Sequence, residues 1–180
     1  MNVRAVADLS PDERAAFFER DAGIEGAREA ARDIVDRVEA EGDVALRSYA
    51  SEFDGVEVGN IDVTDEAERA YEAIDADLRE AIETAAGNIR AFHERQVPDD
   101  WRADFDGREL GRRYRPLSRV GVYAPGGTAA YPSSVLMGVV PAAVAGVDHV
   151  AVATPPAEEL PAATLAAAHV ADADAVYQVG

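Results

Sequence analysis

The last third of the chain constrains its fold most. Between Arg119 and Val179 the apolar segments "VGVYA", "SSVLMGVVPAAVAG", "HVAVAT", "PAATLAAAHVAD" and "AVYQV" follow one another, separated by Pro, Gly and Asp. The short runs read as buried strands and the long ones as helices, the first helix-length run carrying a proline. Strand, helix, strand, helix, strand closes as a parallel sheet with right-handed crossovers. In such sheets ligands bind beyond the carboxyl ends of the strands. The sequence stops at Gly180, where a third such loop is expected to begin. It therefore reads as the front part of a longer protein, with its last strand expected to expose an aggregation-prone edge.

The residues before this unit read as helices. "SPDE" at 10–13 has the form of a capping box and predicts a helix to about Arg20. Ile24, Ala27, Ala31, Ile34, Val35 and Val38 keep helical spacing until Gly42 interrupts it. Asp43 is placed to cap a short helix ended by "FDG", "NIDVT" suggests a short strand, and Thr64 is placed to cap "DEAERAYEAI". Leu78, Ile82, Ala85, Ile89, Phe92 and Gln96 define a long helix stopped by Pro98. Asp106-Gly107 then marks a hairpin. Beside it, Arg108, Arg112, Arg113 and Arg115 read as an exposed edge protected from aggregation.

Composition narrows the function. The chain of 180 residues has 35 acidic side chains against 17 basic ones, all arginine, and a net charge of -18. The acids are spread evenly, as in a solvated shell adapted to high salt, where repulsion is screened. Such a surface argues against nucleic acid, which needs a basic face. The absence of cysteine excludes disulfides, thiolate metal sites and a cysteine nucleophile within these residues. The N-terminus lacks a signal-peptide core, and the longest apolar run, Val135 to Val147, is too short for a membrane span. The expectation is a cytoplasmic protein that meets neither membrane nor nucleic acid.

One loop carries candidate chemistry. Pro125-Gly126-Gly127 follows a strand, and Ser133-Ser134 open a helix. Free N–H groups and hydroxyls there suit an anionic or polar ligand, although the spacing is neither GxGxxG nor a P-loop, and from the residues alone a tight strand-to-helix turn is the simpler explanation. Tyr123 ends the strand, either as a platform for a flat ligand or with its ring in the core and its hydroxyl at the rim. His93, His149 and His169 share no metal-ligand spacing, and no catalytic or metal-binding residue stands out.

The residues also carry a resemblance. "RPLSRVGVYAPGGTAAYPSSVLMGVVPAAVAGVDHVAVATPP", "NIRAFHERQ", "EGDVALRSYASEFDG" and "PAATLAAAHVADADAVYQVG" resemble, in order, the amino-terminal portion of histidinol dehydrogenases. The resemblance implies an α/β fold with an N-terminal helical segment followed by an incomplete Rossmann-like parallel βαβαβ unit. Residues 1–115 would be helix-rich with a hairpin, part of a first incomplete domain, and 116–180 the first part of the NAD-binding domain. It implies an enzyme that oxidises L-histidinol through the aldehyde to L-histidine with NAD, holds substrate with zinc, and works as a homodimer. Tyr123 would contact NAD, with Pro125, Gly126 and Gly127 lining the cofactor loop. The zinc ligands, substrate residues and acid/base pair would lie beyond Gly180, so these 180 residues are expected to be inactive alone. Gly138 stands where the family often has asparagine. Two alternatives stay open: a related dehydrogenase of another small alcohol, and a non-catalytic half that assembles with a separate chain.

Overall fold

The structure is a computed structural model that describes residues 5–18, 24–126 and 129–180. The chain divides into two compact units, Met1–Ala45 and Leu46–Gly180.

In the first unit a 3-10 turn, Val6–Asp8, precedes helices α1 (Pro11–Phe18) and α2 (Ile24–Glu41). The capping box forms as the sequence requires. The Glu13 amide donates to Ser10 Oγ at 3.2 Å, and the Ser10 amide donates to Glu13 Oε2 at 2.8 Å. Two N–H groups that a helix start leaves open are thereby satisfied. The expected continuation of α1 to Arg20 lies outside the described residues. Helix α2 ends at Gly42, whose φ of +59° is the left-handed conformation that terminates helices at low cost.

Helix α3 (Asp43–Tyr49) leads into the second unit. Asp43 is its first residue rather than a residue before it, and a π-helical turn, Ala50–Asp54, extends it to Gly55 at φ +69°. Helices α4 (Thr64–Ala73) and α5 (Ala76–His93) follow. Asp75 caps α5 by accepting from the Leu78 amide at 2.9 Å. Strands β1 (Trp101–Asp104) and β2 (Glu109–Arg112) form the hairpin. Its turn is the one Asp-Gly favours, with φ of 55° at Asp106 and 79° at Gly107.

The remaining elements are β3 (Arg119–Tyr123), α6 (Pro132–Val144), β4 (His149–Thr154), α7 (Ala162–Val170) and β5 (Ala175–Gln178). The strands lie in the order β3-β4-β5, all parallel. Because consecutive strands are neighbours, right-handed crossovers put α6 and α7 on one face, where they pack together. Helices α4 and α5 cover them. Val135, Val139, Val140, Val152 and Val176 fill the interior between these layers. This is the expected N-terminal helical segment followed by a parallel βαβαβ unit.

Two details differ from expectation. Asn60–Thr64 forms a single antiparallel bridge, Asp62 to Tyr177, and no full strand. It nevertheless occupies the edge of β5: the Val63 amide donates to the Val176 carbonyl at 2.8 Å and the Gln178 amide to the Ile61 carbonyl at 2.9 Å. The edge expected to lie bare is thus covered by an upstream segment, and among the described residues β3 is the open edge. Thr64 does not cap α4 from outside but is its first residue. Its hydroxyl donates to Asp62 Oδ1 at 2.6 Å and accepts from the Val176 amide at 3.0 Å, tying α4 to the sheet.

Candidate functional site

Strand alternation decides which way each side chain of β3 points. Val122 pairs with Val152, and Val152 with Val176, so these valines share the helix-covered face. Arg119, Gly121 and Tyr123 therefore face away from the helices. A small cluster of Ala50, Val58 and Ile61 covers that second face only beside Tyr177. Tyr123 is 58% exposed, so its ring is not in the core, and the reading that buries it is set aside.

Beyond Tyr123 the ladder continues one bond further, the Ala124 amide donating to the Ala153 carbonyl at 2.8 Å. Pro125 is exposed. Gly126 lies against the turn after β4: a Cβ at its position would sit 3.1 Å from the Pro155 ring. Gly keeps these two loops close together at the carboxyl end of the sheet. Gly127 lies outside the described residues.

The starts of α6 and α7 meet at the same end. The Tyr131 amide donates to Thr164 Oγ1 at 3.1 Å, and Thr164 is 2% exposed. This bond joins the residue before α6 to the first turn of α7 and fixes the two helix starts relative to each other. Sequence reasoning missed Thr164, although it is the single hydroxyl in "AATLAAAHV". Neither helix has an acid in its first turn. The start of α6 therefore suits an anionic or polar group. Next to β5 the surface has the opposite character, with Glu57, Glu66, Glu158 and Glu159 around one depression, which would repel a phosphate. Charge thus favours the start of α6 over the start of α7.

The histidines are engaged elsewhere. His93 meets Phe92 edge-on, His169 lies 4.8 Å from the Tyr71 ring, and His149 Nδ1 is 3.9 Å from Asp174 Oδ2. Among the described residues no three His, Cys, Asp or Glu side chains gather as a metal site. Nor is any helix among them long and apolar enough to cross a membrane.

The fold is a Rossmann-like α/β unit with an exposed tyrosine and a Pro-Gly loop at the carboxyl end of its first strand. The chain belongs to the histidinol dehydrogenase family, whose model matches residues 19–180. It is 83% identical over 180 residues to the histidinol dehydrogenase of Natronomonas pharaonis and 76% identical to that of Haloarcula marismortui, covering all of this chain and 43% of each relative. It thus spans less than half the length of these relatives, which come from halophilic sources. Among solved structures, it is similar to the crystal structure of histidinol dehydrogenase from Elizabethkingia anophelis, with a TM-score of 0.79 and 31% identity. That match covers 85% of this chain and 36% of the other.

Proposed function

We propose that this chain forms one wall of the NAD site of a dehydrogenase that oxidises L-histidinol to L-histidine. The observation that carries this reading is the position of Tyr123 in a chain of this family. Tyr123 stands exposed at the carboxyl end of a parallel sheet. NAD, when bound, accepts the hydride. Tyr123 would hold a flat part of it by its ring face. Pro125, Gly126 and Gly127 would shape the loop, and Gly126 permits its close approach to Pro155.

The zinc ligands, substrate contacts and acid/base residues are assigned to the part of the relatives' length that this chain does not span. The reading includes a cytoplasmic homodimer and an inactive isolated 180-residue chain.

The test has two arms. In the full-length protein, Tyr123→Ala should weaken NAD binding about three- to tenfold, the worth of one aromatic stacking contact, and leave histidinol binding unchanged. Unaltered NAD affinity would remove Tyr123 from the site. The 180-residue chain, given histidinol and NAD, should form no NADH above a protein-free control. Turnover there would overturn the division of labour.

A further inference from the structure

We propose that Thr164 is a positioning residue for cofactor binding: from the first turn of α7, its hydroxyl holds the far end of the loop that runs from β3 to α6. The inference rests on the reading of that loop as part of the NAD site. It adds a residue that acts through the Tyr131 backbone rather than on the ligand.

The loop is tied at both ends to the segment that runs from β4 to α7. At the near end the Ala124 amide donates to the Ala153 carbonyl at 2.8 Å. Gly126 then approaches Pro155 so closely that a Cβ would sit 3.1 Å from its ring. At the far end the Tyr131 amide donates to Thr164 Oγ1 at 3.1 Å. The near end continues a strand and is fixed by sheet pairing. The far end has no strand to hold it.

Helix α6 does not fix that end from within. Tyr131 precedes it with φ -124° and ψ 57°, outside helical geometry, and no side chain caps the helix. Pro132, at its first position, has no N–H to give. A proline also disfavours the helical conformation in the residue before it, which keeps Tyr131 out of the first turn. The Tyr131 carbonyl accepts from the Ser134 amide at 3.1 Å, and that bond follows α6 wherever the helix lies. The amide bond to Thr164 is what fastens this junction to α7.

Thr164 is a costly residue where it stands. It is 2% exposed and is followed by Leu165, Ala166, Ala167 and Ala168, all buried. A β-branched side chain has lower helix propensity than alanine, and a buried hydroxyl loses its water. Its own amide is already engaged by the Pro161 carbonyl at 2.9 Å. The hydroxyl therefore serves the Tyr131 amide, 33 residues away in sequence, and that bond offsets its desolvation.

Variants of the full-length protein separate this role from general packing. Thr164→Val keeps the branched shape and loses the acceptor, while Thr164→Ser keeps the hydroxyl. Thr164→Val should raise the NAD dissociation constant about three- to tenfold, as for one hydrogen bond, with histidinol binding unchanged and Thr164→Ser within about twofold of wild type. Thr164→Ala also lacks the acceptor but is a better helix former, so it gives the same reading should Thr164→Val fail to fold. In the protein without NAD, hydrogen exchange over residues 124–136 should be faster in Thr164→Val and restored in Thr164→Ser. Unchanged exchange there, or NAD and histidinol binding weakened alike, overturns the proposal. So does a Thr164→Ser protein that behaves as Thr164→Val. Tyr123→Ala keeps the two readings apart. Weaker NAD binding in Tyr123→Ala but not in Thr164→Val sinks this inference alone, whereas normal NAD binding in Tyr123→Ala sinks the cofactor reading.

Discussion

Gly138 sets how closely α6 approaches β3, and replacing it tests the account of the site's framework. A Cβ at Gly138 would lie 2.5 Å from Val122 Cγ1 and 3.1 Å from Cγ2. Carbon atoms rest about 3.5 Å apart or more, so the overlap is about 1 Å. Val122 cannot easily retreat. Its strand is fixed by pairing with β4, and rotating a β-branched side chain exchanges one methyl for another. Overpacking of this kind costs about 1–3 kcal/mol. Against it, Gly→Ala inside a helix gains about 1 kcal/mol of propensity. Sterics should win, leaving Gly138→Ala about 1 kcal/mol less stable. Val122→Ala removes both clashing methyls and by itself costs about 1 kcal/mol for partly buried groups. In that background the sign should reverse: adding Gly138→Ala should then stabilise by about 1 kcal/mol, the propensity term alone. Urea unfolding at fixed molar salt, read as midpoint shifts at constant slope, measures all four corners of the cycle. If Gly138→Ala raises the midpoint in the wild-type background, or shifts it equally in both, the close approach does not control this packing.

Thr164→Val keeps the shape but removes the acceptor for the Tyr131 amide, and should cost about 1–2 kcal/mol in the same titration. The Asp62 carboxyl is held below its ordinary value by the Thr64 hydroxyl first and the Thr64 amide second, against a small opposing effect of desolvation. Its contribution is therefore present above the unfolded-state value and lost as pH falls through the lower folded-state value. Asp62→Ala should flatten that part of the acid limb, by a small amount because the group is solvent-exposed. With a net charge of -18, the urea midpoint should rise as potassium chloride increases from millimolar to molar, and a salt-independent midpoint would contradict the solvated acidic shell.

What the sequence made legible was local. Ser10 and Glu13 sit three residues apart and satisfy each other. Asp106-Gly107 occupies a turn that needs positive φ at both positions. Strand and helix lengths from Arg119 onward fixed the parallel sheet because only one crossover hand packs well. What stayed hidden depends on distant pairing. The bond from Val176 to Thr64 spans 112 residues, and nothing in "NIDVT" states that it will close the edge of β5. Thr164 became meaningful only when α6 and α7 were brought side by side. The loop residues were legible as a turn, and Tyr123 as the end of a strand. Its exposure was not, because period-two alternation gives two faces without saying which is covered.

That choice of face is where fold and candidate site join. Val120 and Val122 must meet the helices, since they pair with Val150 and Val152, which are buried to within a few per cent. The two-residue period then leaves Tyr123 no option but the opposite face. Across that face Tyr123 pairs with Ala153 and Ala153 with Tyr177, so one row reads Tyr, Ala, Tyr. Neighbouring strands lie about 4.8 Å apart, which separates the two tyrosine positions by about 10 Å with only a methyl group between them. Tyr177 is held by the Ala50, Val58 and Ile61 cluster, whereas Tyr123 has no such cover. Small residues at Gly121 and Ala151 continue the low floor behind the row. A shift of β3 by one residue would bury Tyr123 and expose Val122. The close fit of Gly138 against Val122 opposes that shift. The contact that stabilises the helix layer is thus also what presents the tyrosine on the open side.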